Sequence, residues 1–384
     1  LLLCVWTTSG RSRRNSRTSS ATASTSFTGR TARRSRRTVT TRTPRRAARP
    51  GRDLRAVAEL VRLFRRERPD IVHTHSSKAG FVGRLAARIA GVPVVVHTVH
   101  GWSFHAGMPR VARGVAVALE RVAARWTWPL VVVAEADAEI GMAAGIGETS
   151  QYALVRSGVD VDRLRRPEGG RAGARLALGI PEGAPLVGTV TRLCRQKDPE
   201  TLLRAARLLA ELRPDARLVV VGDGPMRAEV ERRVDELSLR EHVLLLGRRS
   251  DVDRLLPGFD AFVLSSRWEG LPRVVVEAMA AGVPVVSTDV GGIAEAVENQ
   301  VSGLLVPAGD AVALGNALVR VLGEPGLGAR LRAAAWARVD EFDARRMVDG
   351  LEDLYSGLLT GVRSRPRRAR MAEAVRTESD HEAA

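Results

Sequence analysis

Lysine is almost missing from this 384-residue chain. Lys78 and Lys197 are the only two among 60 basic residues; the rest are arginine. Cysteine is equally scarce. Cys4 and Cys194 offer neither a disulfide framework nor the clustered spacing of a metal site. Aromatic residues make up 4% of the chain and do not interleave with the basic ones, as a nucleic-acid surface would require. No run of about 18 apolar residues occurs, so no segment reads as a membrane-spanning helix. The opening "LLLCVW" is too short for the apolar core of a signal peptide and has no basic flank before it. The cytoplasm is the expected compartment, with a peripheral place on the inner face of the cell membrane left open.

Acidic residues are missing from one region. Residues 1–50 hold 13 arginines and no Asp, Glu or Lys, and without them the formal charge of +17 falls to +4. The basic character therefore belongs to a terminal segment and not to a binding face spread over the molecule. That segment starts with Leu, is built of Arg, Thr, Ser and Ala, and shows no apolar period. A basic tail for nucleic acid or anionic lipid and a transit-like peptide both fit it; a shifted reading frame or misplaced start fits best. Residues 1–50 are thus expected to be a disordered basic segment that supplies no strand, as are residues 362–384.

What is present from residue 51 onward is βα alternation. "DLRAVAELVRLFRRERP" has helical period, "DIVHTH" is a short buried strand, and "GFVGRLAARIAG" is a helix. "VPVVVHTVHG" and "PLVVVAEA" are further strands, with the helical "MPRVARGVAVALERVAARW" between them. A second series follows: "LVGTV", "RLVVVG", "VLLLG", "AFVLSS", "PVVST" and "GLLV". This is the grammar of two parallel-sheet α/β domains. The expected boundaries are 51–165 for the first, incomplete domain and 166–345 for the second, with a linker near 157–173. A C-terminal helix at 346–361 is expected to cross back to the first domain. Ligands of such sheets lie at the carboxyl ends of the strands, and a cleft forms where two such ends face each other.

The strand-end loops carry the chemistry. Arg192 and Lys197 follow "LVGTV", and Gly222 and Gly224 follow "RLVVVG". His100 and Gly101 follow "VVVHTV", and Lys78 follows "DIVHTH". The stretch "RWEGLPRVVVEAMAAGVPVVSTDVGG" sets Glu269 eight residues before Glu277, with Gly270, Leu271 and Pro272 between them at a helix start. A helix N-terminus binds phosphate through its free N–H groups and dipole. A carboxylate one or two turns inside that helix, at Glu277, can accept two hydroxyl hydrogen bonds from a ribose. Glu277 lies among "VVVEAMAA", where an unpaired charge is costly. Glu269 in the loop can reach a second hydroxylated group. The two "DVD" stretches, 160–162 and 251–253, invite a metal reading, but one lies in the expected linker and the other at a helix start, where Asp is a common cap.

These motifs, with "GTVTRLCRQKD", "VVGDGP" and "SGLLVPAGD", resemble the donor domain of the family-4 retaining glycosyltransferases of the GT-B fold. "HTHSSKAGFVGRLAARIAGVPVVVHTVHGWSFH" resembles the acceptor-side half, in the variety found with capsule and exopolysaccharide genes. The resemblance covers about residues 51–360. It implies two facing Rossmann-like domains and transfer of a sugar from a nucleotide-sugar, with UDP as the expected carrier, to a saccharide or lipid-linked saccharide acceptor with retention. It implies no cofactor and no divalent metal. Carried over residue by residue, Arg192 and Lys197 match the basic pair on the donor diphosphate and Glu277 the ribose ligand. Glu269, Gly270 and Leu271 match the groups beside the transferred sugar, and His100 the acceptor-side histidine near the anomeric carbon. Peripheral contact with an anionic membrane is open, and no nucleic-acid partner is expected. Residues 1–50 show neither the opening strand nor the Gly-rich loop of that family. The alternatives are therefore an inactive or regulatory sugar-nucleotide-binding protein, and a GT-B sugar-nucleotide epimerase.

Overall fold

The computed structural model describes residues 2–6, 36–40 and 50–364. Their strands form two six-stranded sheets. The first holds β1 (Leu2–Trp6), β2 (Arg36–Thr40), β3 (Ile71–His75), β4 (Val94–Val99), β5 (Leu130–Val132) and β6 (Tyr152–Leu154), in the order β2-β1-β3-β4-β5-β6. The second holds β7 (Leu186–Val190), β8 (Arg217–Val221), β9 (Val243–Gly247), β10 (Ala261–Leu264), β11 (Val285–Thr288) and β12 (Gly303–Val306), in the order β12-β11-β10-β7-β8-β9. All pairs of the second sheet, and those from β3 to β6, are parallel.

The second sheet is covered on both faces, which is why its strands read as near-continuous apolar runs. Alternate residues of one strand serve opposite cores. Phe262 and Leu264 join one buried cluster with Val219 and Val285, and Ala261 and Val263 join another with Val187 and Val220. That is the period-two geometry of a strand expressed as two separate cores.

The expectation that residues 1–50 would supply no strand is overturned. Leu2–Trp6 pairs antiparallel with β3, from Leu3 opposite Thr74 to Trp6 opposite Ile71, and Arg36–Thr40 pairs antiparallel with Leu2–Trp6. The reason is physical. The outer edge of β3 presents unpaired N–H and C=O groups, which recruit any strand-prone segment, and "LLCVW" and "RRTVT" are such segments. The rest of residues 1–50 and the tail after 364 lie outside the described residues. The stretch expected as a linker also has structure. Asp160 caps the helix Val161–Arg165 by accepting the Arg163 N–H, and a second helix runs Gly170–Leu178.

The last helix, Ala344–Ser364, lies on the first sheet. Its Leu354, Tyr355, Leu358 and Leu359 pack with Ile71, Val94, Val96 and Val131. The chain thus passes between the domains twice, and the two passages touch. Val159 forms a parallel bridge with Asp343, and the Ala344 N–H donates to the Val159 carbonyl at 2.8 Å.

Candidate active site

Strand order in the second sheet reverses between β7 and β10, because β8 and β9 run outward on one side and β11 and β12 on the other. A ligand crevice opens at the carboxyl end of such a switch. The loops leaving β7 and β10 there carry Arg192, Lys197 and Glu269, and they are stitched together. The Arg267 N–H donates to the Gln196 carbonyl at 2.8 Å, Gln196 Nε2 to the Trp268 carbonyl at 3.0 Å, and Ser265 Oγ to the Lys197 carbonyl at 2.8 Å. Asp198 has φ 43° and accepts Thr201 Oγ1 at 2.7 Å and Arg267 Nε at 2.9 Å, which fixes the backbone beside Lys197.

The structure brings Lys197 and Glu269 into one ion pair, Nζ to Oε1, and Ser266 Oγ donates to the same oxygen at 2.5 Å. The two side chains are 16% and 7% exposed. A pair this sheltered gains little net stability after desolvation. It does hold an ammonium and a carboxylate at fixed positions in the crevice. Arg192 stands exposed at the rim, without a hydrogen bond or ion pair among the described residues.

Gly222 and Gly224 are explained by packing. A Cβ at Gly222 would lie 1.7 Å from the Thr191 carbonyl oxygen, and one at Gly224 would lie 2.2 Å from that of Leu193. Their N–H groups are occupied by the Gly247 carbonyl and Asp223 Oδ1, each at 2.7 Å. These glycines therefore seat the loop that carries Arg192.

Past Glu269, the N–H groups of Gly270 and Leu271 donate to no other described group. Pro272 precedes the helix Arg273–Ala280 as its cap residue. On this helix Val275, Val276 and Ala278 are fully buried while the Glu277 side chain is 25% exposed. Burial raises the Glu277 pKa, and Arg273, whose Nη2 is 3.7 Å from Glu277 Oε1, opposes the rise.

The first domain meets this loop directly. A Cβ at Gly270 would lie 2.8 Å from the Gly101 nitrogen and 2.9 Å from the His100 carbonyl carbon, so both glycines permit the approach. His105 stacks on Trp268 across the same gap, with centroids 3.7 Å apart. His100 Nε2 is 3.0 Å from His75 Nδ1, and His75 stacks on His73 at 4.4 Å. His73 bonds Thr98 Oγ1 at 2.6 Å and the Tyr355 hydroxyl. All three imidazoles are pushed toward the neutral form. Desolvation is the first cause in each, and it lowers His75 to about 4 with help from His100; for His100 the second cause is the charge of Arg273.

Lys78 is not in a loop. It lies in the first turn of the helix Ser77–Ala90 and forms an ion pair with Asp53 at 2.9 Å. The "DVD" carboxylates are also engaged locally. Asp160 caps a helix, Asp162 pairs with Arg345, Asp251 with Arg249, and Asp253 with Arg163. Among the described residues no His/Cys/Asp/Glu group suits a metal ion.

Sequence reasoning missed Arg273, the charge between His100 and Glu277. It also missed Glu295, whose Oε1 accepts the Ala136 N–H at 3.0 Å and whose Oε2 meets Arg156 at 3.1 Å, joining the two domains. In a chain with so many arginines Arg273 carried no signal, and Glu295 is an ordinary acid in the first turn of a short helix. His75 was visible only as a strand-end residue.

Comparison with known proteins agrees with this geometry. Residues 173–338 match the family described as glycosyl transferases group 1, and residues 22–163 match glycosyltransferase family 4, reaching upstream of residue 51. An Escherichia coli UDP-Gal:alpha-D-GlcNAc-diphosphoundecaprenol alpha-1,3-galactosyltransferase is 34% identical, over 79% of this chain and 79% of its own. A D-inositol 3-phosphate glycosyltransferase of Saccharomonospora viridis is 33% identical, over 77% of this chain and 71% of its own. The crystal structure of Anabaena HepE in complex with UDP-glucose superposes with a TM-score of 0.69 at 26% identity, covering 78% of this chain and 82% of that one. With two Rossmann-like domains meeting at Gly101 and Gly270 and relatives of this kind over more than three-quarters of its length, the chain belongs to the family-4 glycosyltransferases of the GT-B fold.

Proposed function

We propose that this glycosyltransferase moves a sugar from a UDP-linked donor to a saccharide carried on a lipid, with retention and without a metal ion, in cell-surface polysaccharide assembly. The observation that carries the reading is the Lys197–Glu269 pair at the strand switch, set against the Gly270–Gly101 contact, where the backbone of His100 meets the loop just past Glu269. In the reaction the bond between the anomeric carbon and the β-phosphate oxygen breaks, and its electron pair stays on the diphosphate. Lys197, Arg192 and the N–H groups of Gly270 and Leu271 stabilise that charge, which is electrostatic catalysis by preorganised donors. Glu277 accepts the ribose hydroxyls, and Glu269 a hydroxyl of the transferred sugar. His100, neutral at pH 7, offers a hydrogen bond near the anomeric carbon. The acceptor hydroxyl attacks from the face the diphosphate leaves, and its proton passes to the departing phosphate oxygen. The UDP-glucose of HepE and the diphosphoundecaprenol-linked acceptor of the E. coli relative support the donor and acceptor classes.

The test is a thermal-shift screen of sugar nucleotides, then turnover on lipid-linked acceptors with the product anomer read by NMR. Stabilisation by UDP-sugars, activity in chelator and a product of unchanged anomeric configuration are expected. An inverted product, or a strict manganese requirement, would overturn the mechanism.

A further inference from the structure

One aromatic pair spans the two domains and takes no part in the proposed reaction. In the first domain, the loop between β4 and the helix Arg110–Ala124 buries alternate residues. Trp102 and Phe104 are 8% and 5% exposed and pack on each other, and Trp102 Nε1 donates to the Asp137 carbonyl at 2.6 Å. His105, next along the loop, therefore turns outward and meets Trp268 of the second domain. The backbone on either side of Trp268 is held by Gln196, which leaves the half-buried indole ring to face the first domain.

This stack is built to be exchanged. The rings lie 12° from parallel with centroids 3.7 Å apart, a face-to-face sandwich. Aromatic pairs favour offset or edge-on arrangements, with centroids about 4.5–7 Å apart, because two π faces repel. Burial pushes the His105 imidazole toward the neutral form, so no cation relieves that repulsion. The polar edges of the rings are also unused. Neither Trp268 Nε1 nor a ring nitrogen of His105 hydrogen-bonds to another described residue. The indole thus offers an electron-rich face, a free donor at its edge and a neighbour in an unfavourable geometry.

We propose that Trp268 is the platform on which the terminal pyranose ring of the acceptor stacks, and that His105 is the cover this sugar displaces. The polarised C–H groups on one face of a pyranose suit the negative face of an indole, and its hydroxyls suit the free Nε1. The position suits an acceptor. Trp268 adjoins Glu269, assigned above to the transferred sugar, and His105 lies five residues past His100. The inference rests on the acceptor part of the reading above and adds a residue to it. Saccharide binding is measured without sugar transfer, so either idea can fail alone.

The experiment is saturation-transfer NMR on the full chain, with and without UDP, using the methyl glycosides of glucose, galactose and N-acetylglucosamine as probes. Saturation is expected on the ring C–H protons of one sugar face. Trp268→Leu keeps an apolar side chain and removes the π face. It should weaken glycoside binding about tenfold, with UDP affinity by calorimetry and thermal midpoint unchanged. Trp268→Phe should recover part of the loss. His105→Ala uncovers the indole and should tighten binding about threefold. Wild-type glycoside binding in Trp268→Leu would overturn the proposal, as would an equal loss of UDP affinity. Weaker binding in His105→Ala would give the sugar to both rings together and overturn the displacement. A wild-type protein that binds none of the three glycosides would overturn it too. Glycoside binding without any sugar transfer would remove the enzymatic reading and leave the platform standing.

Discussion

The two walls of the cleft hold their polar groups in opposite ways. The wall from the second domain is fixed by charge: Lys197 on Glu269, and Arg267 on Asp198. The wall from the first domain is fixed by uncharged groups: His100 on His75, and His73 on Thr98 and Tyr355. On the proposed function a diphosphate would meet fixed positive charge at Lys197, held in place by its counter-carboxylate. On the same proposal an acceptor hydroxyl would meet hydrogen-bonding groups of little charge, the desolvated imidazoles. The contrast implies that mutation of single charges should cripple the second wall, and that acid should loosen the first.

The largest expected effect is on the charged wall. Lys197→Ala should lower kcat by about 100-fold at saturating donor, the scale for one preorganised charge-stabilising group, and weaken donor binding less. Single-turnover kinetics would check it, and an unchanged kcat would end the diphosphate role. Next comes Glu277→Ala. Hydrogen bonds to a charged group are worth about 1.5–3 kcal/mol at most, so UDP affinity should drop on the order of 10- to 100-fold by calorimetry. Burial raises the Glu277 pKa, so the carboxylate is lost early on acidification. Wild-type UDP affinity should fall with falling pH, and the variant should lose that part of the dependence.

A smaller effect is expected where the walls touch. Gly270→Ala would put a methyl group against Gly101 and His100, and neither neighbour is a flexible side chain. The walls must separate by tenths of an ångström. A misplacement of about 1 Å costs about 100-fold, so a loss on the order of tenfold in kcat/KM is expected, with stability barely changed. Wild-type kinetics in this variant would show that the contact is not part of the working geometry.

The smallest effect belongs to the neutral wall. The folded-state pKa of His75 lies at about 4, below the ordinary 6.5. A depressed histidine binds fewer protons in the native state than in the unfolded one. Its stabilising contribution is therefore complete above 6.5 and is lost as pH falls through about 4. His75→Asn should flatten the stability-versus-pH curve in that window by on the order of 2 kcal/mol, allowing for partial exposure. Urea melts at pH 7 and pH 4.5 would measure it, and parallel curves would mean His75 is not held neutral by the fold.

What the sequence made legible was local. Nine of the ten strands from β3 to β12 were readable as short apolar runs, because buried parallel strands need no partner to announce themselves; β6 (Tyr152–Leu154), three residues long and only partly buried, was not. The Glu269–Glu277 spacing was readable because a carboxylate inside "VVVEAMAA" breaks an apolar pattern. What escaped depends on distant neighbours. β1 has no period of its own and exists where the edge of β3 accepts it. Tyr355 reaches His73 from a helix near the other end of the chain. Lys78 stood out by rarity, but Asp53, on the preceding helix, holds its charge. Arg273 was hidden by the abundance of its own residue type.

The side-by-side crossings at Val159 and Asp343 have a mechanical consequence. Two bodies joined by one strand can swivel and twist freely. Joined at two adjacent, hydrogen-bonded points, they behave like leaves on a pin, free to swing about one axis and resisted in twist and slide. There is little play in the pin, because a Cβ at Gly158 would stand 2.5 Å from the Ala344 Cα. Opening and closing of the cleft then reduces to one angle. Small-angle scattering with and without UDP should follow a single swing coordinate, and a twisted open form would contradict it. On such a pin, a contact away from the axis travels farther than one beside it for a given swing, so rotation about the crossings is the motion that would part Gly101 from Gly270.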